Sequence, residues 1–170
     1  MNTGKSHIGD VSDSDVGLMK ENGFLATDDE ACIATADVIV ICVPTPLDGV
    51  GLPDLRSVNS ATASVAKNIA HGALVILEST TYPGTTEEAV MPILAGRSKI
   101  CGEDFYLAFS PERIDPGNKT FEITNTPKVV GGITGNCADK AASFYRRFVS
   151  EVIIAKGTRE AEMAKLLENT

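Results

Sequence analysis

Val38-Ile39-Val40-Ile41-Cys42-Val43-Pro44-Thr45-Pro46 decides the fold. Six apolar residues in a row, most of them β-branched, predict a strand buried on both faces, and Pro44 ends it because proline has no N–H for a ladder. Cys42, inside the run, reads as core. Working outward, Leu74–Leu77 and Phe105–Phe109 are two more short apolar runs, and Lys128–Gly132 and Val152–Ala155 supply a fourth and a fifth. Between them lie helical patterns at Asp54–Ala70, Thr85–Leu94, Asn136–Val149 and Thr158–Asn169. Asp54 is the expected N-cap of the first, and Thr85 and Glu88 have capping-box spacing in the second. Upstream, Ser12–Asn22 reads as a helix closed by Gly23, with Phe24–Thr27 as a short strand. Strands alternating with helices imply an α/β fold around a parallel sheet.

Composition bounds the function. The chain has 170 residues, a formal net charge of −8 and 43% hydrophobic residues, which suits one globular domain with a core. Nucleic acid is excluded as a partner, because binding a phosphate backbone needs a basic surface. A membrane span is excluded too, since no apolar run approaches the roughly 20 residues a helix needs to cross a bilayer. No apolar segment within Met1–Ser14 reads as a signal peptide. Cys32, Cys42, Cys101 and Cys137 form no C-x-x-C pair and read as reduced thiols rather than metal ligands.

Ligands of open α/β sheets bind beyond the carboxyl ends of the strands. The segments in that position are Pro44-Thr45-Pro46, Glu78–Gly84 and Ser110–Asn118, all rich in hydroxyls, charges and rigid turns. No G-x-G-x-x-G is present to hold a pyrophosphate. Gly49-Val50-Gly51 places Asp54 where a third glycine belongs, and Gly131-Gly132-Ile133-Thr134-Gly135 has the wrong spacing. Both clusters read as structural turns.

Four motifs, in order along the chain, carry a resemblance: Val43-Pro44-Thr45-Pro46, Leu77–Glu88 (LESTTYPGTTEE), Ser110-Pro111-Glu112-Arg113 and Glu160–Asn169 (EAEMAKLLEN). Together they resemble the UDP-glucose/GDP-mannose dehydrogenase superfamily. The wording from Ser110 to Asn118 is similar to the branch acting on UDP-N-acetylglucosamine or UDP-N-acetylmannosamine. Pro116 stands where the UDP-glucose branch has a second glutamate. The resemblance implies an NAD-dependent, cytoplasmic, homo-oligomeric enzyme that oxidises the C6 alcohol of a UDP-sugar to a uronate for surface polysaccharide synthesis. A UDP-glucose 6-dehydrogenase fragment and a non-catalytic remnant are the alternatives.

Residue by residue, the resemblance implies that Thr45 lines the NAD site and that Thr80 contacts the nicotinamide side and helps hold a catalytic water. It gives Glu112 a role in proton handling, lets Arg113 and Ile114 touch the sugar nucleotide, and has Lys165 and Asn169 bind the sugar near C6. The chemistry is consistent. Lys165 and Asn169 are four residues apart on one helical face, and an ammonium with an amide would stabilise charge developing on oxygen. Read alone, the same pair is an ordinary solvated face, Glu112 is a loop carboxylate able to pair with Arg113, and Thr80 is a strand-end hydroxyl.

The implied fold is an incomplete Rossmann-like doubly wound parallel sheet missing its first two strands. Residues 1–155 would form a partial NAD-binding domain, and residues 156–170 the start of the central interdomain helix. None of the four cysteines lies in a segment like the family's nucleophile loop. The expectation is therefore that these 170 residues alone have no turnover, that the Val38–Val43 strand presents a free edge, and that residues 1–30 are poorly anchored or self-associate.

Overall fold

The computed structural model describes residues 1–9, 11–49, 51–112 and 126–168, the last by its backbone only. The first helix, α1 (Asp13–Glu21), is set by local chemistry at both ends. Ser12 accepts from the Asp15 N–H while the Asp15 side chain accepts from the Ser12 N–H, a reciprocal cap. At the other end Gly23, at φ +92°, donates to Lys20 and Phe24 to Met19. That pairing satisfies carbonyls the helix leaves open. Phe24–Thr27 is not a strand. The Asn2 side chain serves as its pairing partner, accepting from the Ala26 N–H and donating to the Ala26 carbonyl.

After a 3₁₀ turn at Glu30–Thr35, the sheet begins. Its strands are β1 (Val38–Ile41), β2 (Leu74–Leu77), β3 (Tyr106–Phe109), β4 (Lys128–Gly132) and β5 (Val152–Ile154), lying side by side in chain order. β1, β2 and β3 are parallel and in flush register: Ile41 pairs with Leu77, and Leu77 with Phe109. β4 then runs antiparallel to β3, with Phe109 opposite Gly131, before β5 follows parallel to β4. The all-parallel expectation is corrected there. Continuous apolar character says nothing of direction, and β4 enters the sheet at the same end where β3 leaves it. Nor does it secure burial on both faces, since Ile153 and Ile154 of β5 are exposed.

Helices cover both faces. α2 (Arg56–Asn68), α3 (Met91–Ala95) and α5 (Thr158–Glu168) pack Val58, Val65, Leu94 and Ala161 against Val75, Leu77, Leu107 and Phe109. α4 (Gly135–Tyr145) packs Ala141 and Tyr145 against Leu74, Ile76 and Ala108. Alternate residues of β2 therefore feed opposite cores, and every one of them is buried. β1 is an edge strand with Val40 37% exposed, and Cys42 just beyond it is exposed rather than core.

Two caps differ from the local reading. Leu55, not Asp54, is the N-cap of α2, although the Asp54 carboxylate still accepts from the Arg56 N–H. Thr85 already has helical dihedrals and makes no side-chain cap, and the helix it was to begin opens with a π turn at Thr86–Val90 that runs into α3. No described helix is long and apolar enough to cross a membrane.

Candidate functional site

The flush register of β1, β2 and β3 makes the segments after them emerge side by side. Ser79 stitches the first two together: its hydroxyl accepts from the Val43 N–H at 2.9 Å and donates to the Val43 carbonyl at 2.8 Å. Thr45 donates to the Thr80 carbonyl at 2.6 Å. The resulting groove, about 410 Å³, is lined by Cys42–Thr45, Glu78–Thr80 and Glu112. Lys165 arrives from α5, its Nζ donating to the Glu112 carbonyl. Thr45, Thr80, Glu112 and Lys165 thus share one end of the sheet. Arg113, Ile114 and Asn169 lie outside the described residues.

A second, apolar compartment of about 190 Å³ adjoins the groove and shares Glu78 and Glu112 with it. Here the antiparallel β4 matters, because its first residue is delivered to the ligand end of the sheet. Lys128 Nζ lies 2.8 Å from Glu78 and 3.5 Å from Glu112, with its side chain 12% exposed. Tyr145, from α4, donates its hydroxyl to the same Glu78 oxygen. Burial, reinforced by the Glu78 carboxylate, pushes the Tyr145 phenol well above its ordinary range, so it remains a donor. The residue Cys42 is exposed, but its sulfur turns toward Glu78. Partial desolvation and then that carboxylate push its thiol up to about 11. Cys42 is therefore a poor nucleophile at neutral pH.

Glu78, Lys128 and Tyr145 were not singled out in the sequence. A signal for Glu78 existed, since a carboxylate directly after Leu74–Leu77 has to be paired. For Lys128 there was none, because its position depends on the direction of β4.

Glu162 was also missed. It is fully buried on α5, and its carboxylate accepts from the N–H groups of Gly84 and Thr86 and from the Thr86 hydroxyl. That makes it the cap, supplied from another helix, of the run that opens at Thr86. Lys165 follows three residues later on the same face. Glu162 therefore fixes α5 against the Glu78–Gly84 segment and sets where Lys165 points.

A dinucleotide needs hydroxyl and amide donors along its length and a glycine cradle for its phosphates. The groove has the hydroxyls, and in the same segment Thr81 Oγ1 is buried with no partner among the described residues. Gly131 and Gly132 offer no cradle. A Cβ on Gly131 would lie 2.2 Å from the Gly157 carbonyl oxygen, and one on Gly132 would lie 2.2 Å from the Ala138 nitrogen. Those positions are filled by protein backbone. The described residues fit one end of a dinucleotide.

Comparison with known proteins agrees with this geometry. Residues 1–149 match the family model described as the UDP-glucose/GDP-mannose dehydrogenase family, NAD binding domain. The UDP-N-acetyl-D-mannosamine dehydrogenase of Campylobacter jejuni is 36% identical over 179 residues, covering 100% of this chain and 44% of its own length. The UDP-N-acetyl-D-glucosamine 6-dehydrogenase of Salmonella typhi is 39% identical, covering 81% of this chain and 33% of its own length. The UDP-D-ManNAc dehydrogenase structure from Pyrococcus horikoshii superposes with a TM-score of 0.89 at 37% identity, over 99% of this chain and 40% of that one. The chain spans less than half the length of these relatives. By its fold, its strand-end motifs and these matches, it belongs to the UDP-glucose/GDP-mannose dehydrogenase family.

Proposed function

We propose that this chain forms the NAD-facing part of a nucleotide-sugar 6-dehydrogenase that converts the C6 alcohol of a UDP-N-acetylhexosamine to a carboxylate. The observation that carries the reading is the convergence of Thr45, Thr80, Glu112 and Lys165 at the aligned ends of β1, β2 and β3. NAD, when bound, would supply the acceptor for the C6 hydride. Thr45 and Thr80 would line its nicotinamide end. The Lys165 ammonium, with Asn169, would donate to the sugar oxygen as negative charge develops on it. Glu112 would take up and release protons in the water-dependent second half of the oxidation. Lys128, between Glu78 and Glu112, would keep the two carboxylates from repelling each other. Residues 1–155 would make up the cofactor domain, and α5 would begin the helix leading toward the substrate-binding part. NAD and UDP-sugars as reactants support a cytoplasmic reaction.

The test is an amide-resolved NMR titration of the 170-residue chain with NAD. Weak binding is expected, with shifts at Cys42–Thr45 and Ser79–Thr81 and none at Gly131–Thr134. Shifts centred on Gly131–Thr134 instead would overturn the assignment. No NADH should accumulate when UDP-N-acetylglucosamine, UDP-N-acetylmannosamine or UDP-glucose is added to this chain, because its described residues hold only one end of the dinucleotide and supply no cysteine nucleophile for the second oxidation. Robust NAD reduction would contradict that expectation.

A further inference from the structure

Away from the groove, two cysteines that are far apart in sequence meet. Cys101 Sγ and Cys137 Sγ are 3.8 Å apart, in van der Waals contact. Each is held by a separate element. Cys101 lies in the turn before β3, which is closed by hydrogen bonds from Gly102 N–H to the Phe105 carbonyl and from the Ile100 N–H to the Asp104 carboxylate. Cys137 lies in the first turn of α4, whose N-cap is Thr134. The two elements touch, since the open side of Gly102, at φ +95°, faces the Thr134 side chain. The sulfurs are thus kept together by packing and not by chance rotamers.

Their surroundings differ in a way that suits sequential chemistry. Cys101 is half-buried and Cys137 fully buried. The Cys137 sulfur accepts from the Thr134 hydroxyl at 3.2 Å and from the Leu107 N–H at 3.4 Å, at the positive end of an eleven-residue helix. The Cys101 sulfur is a third partner, 3.8 Å away. These contacts, Cys101 foremost, hold the Cys137 thiol below its usual range, while the same contact raises Cys101. Neither residue lines the groove or the apolar compartment, so no part of the proposed dehydrogenase chemistry uses them.

We propose that Cys101 and Cys137 are a redox-active dithiol that closes to an internal disulfide when a low-molecular-weight disulfide reaches Cys101. In the first step the Cys101 proton passes to the Cys137 sulfur that it already touches, Cys101 sulfur bonds to one sulfur of the oxidant, and the oxidant's S–S bond breaks to release one small thiolate. In the second step that thiolate takes the proton from Cys137, whose sulfur bonds to Cys101 sulfur and expels the second small thiolate. One disulfide is reduced to a thiol and a thiolate, and the protein's thiol and thiolate are oxidised to one disulfide. Cys101 meets the oxidant because it is the accessible member, and Cys137 resolves because its sulfur already touches Cys101. The closed form ties the turn before β3 to the start of α4 and so encloses β3 and β4.

The test uses the reduced 170-residue chain with oxidised glutathione at neutral pH, acid quench, alkylation and peptide mapping. The expected product is a Cys101–Cys137 cross-linked peptide pair lighter by two hydrogens, with glutathione absent from Cys101. A glutathione adduct that persists on Cys101 while Cys137 is alkylated overturns the proposal. In Cys137→Ser the resolving sulfur is gone, so the Cys101 adduct should accumulate. A chain carrying Cys32→Ser and Cys42→Ser, both exposed positions, retains only the proposed pair and guards against misfolding of Cys137→Ser. Failure of that variant to form the internal cross-link overturns the proposal as well.

Discussion

Two corners of this sheet join a strand to a helix, and they are built in opposite ways. After β4 the chain turns at once: Gly131 and Gly132 leave no space for a Cβ, and Thr134 caps α4 from its own sequence. After β2 it runs through Glu78–Thr85 before the helix starts, and the cap comes from Glu162 on α5. The first corner is closed by backbone packed on backbone. The second is held open by a long polar segment braced from outside. Glycine after a strand is thus no indicator of a ligand loop. Here it marks the place where nothing else fits, and the threonines mark the groove.

The contrast breaks most readily at Gly132. Adding one methyl group drives it into the Ala138 nitrogen and the Thr134 carbonyl oxygen, neither of which can rotate away. Gly132→Ala should cost about 3 kcal/mol or more and lower the melting temperature by about 6–12 °C. Gly49→Ala is the matching control. Its Cβ would meet nothing within 4 Å, and the change should stay within about 0.5 kcal/mol. Equal melting temperatures for the two variants would erase the distinction between the corners.

How much of this was legible depended on whether the deciding partner was local. The end of α1 at Gly23 needs only residues three to five apart, and the sequence displays them. The β2 run, buried on both faces, was equally readable. Where the partner is distant, local pattern misled. Phe24–Thr27 has strand-forming residues but pairs with the Asn2 side chain. Thr85 and Glu88 have capping-box spacing, yet the buried Glu162 carboxylate already accepts from Gly84 and Thr86. Lys128 reaches the site only because β4 runs against β3. Thr45, Thr80, Glu112 and Lys165, which the structure brings to one end of the sheet, were named through their motifs, whereas Glu78, Tyr145 and Glu162 depend on contacts across more than 60 positions.

Removing Glu162 tests the open corner next. Glu162→Ala strips the acceptor from two buried N–H groups and should cost about 2–3 kcal/mol. Glu162→Gln keeps one acceptor oxygen and should cost about 1 kcal/mol. Burial outweighs those hydrogen bonds and holds the Glu162 carboxyl above its ordinary value of 4.5. A carboxyl raised in the folded state contributes fully below the unfolded value, and that contribution falls as pH rises through the folded one. The stability gap between wild type and Glu162→Gln should therefore be widest below about pH 4.5 and narrow toward neutrality. A gap that widens toward neutrality would mean that hydrogen bonding to the charged form, not burial, dominates.

The smallest effect sharpens the picture of the groove itself. Thr45 spends its hydroxyl on the Thr80 carbonyl, joining the segments after β1 and β2 at their outer rim. Thr45→Val preserves the shape and removes one hydrogen bond at a partly exposed position. The loss should be at most about 1 kcal/mol, read as a small shift in denaturant midpoint with an unchanged slope. Thr45→Ser keeps the donor and should restore the wild-type midpoint. The open corner then differs from the closed one in a measurable way: its rim tolerates substitution because water can replace the lost partner, whereas no solvent can take up the strain of a methyl group at Gly132. A Thr45→Val loss as large as that of Gly132→Ala would mean that the rim is packed as tightly as the β4 turn and has no room for a ligand.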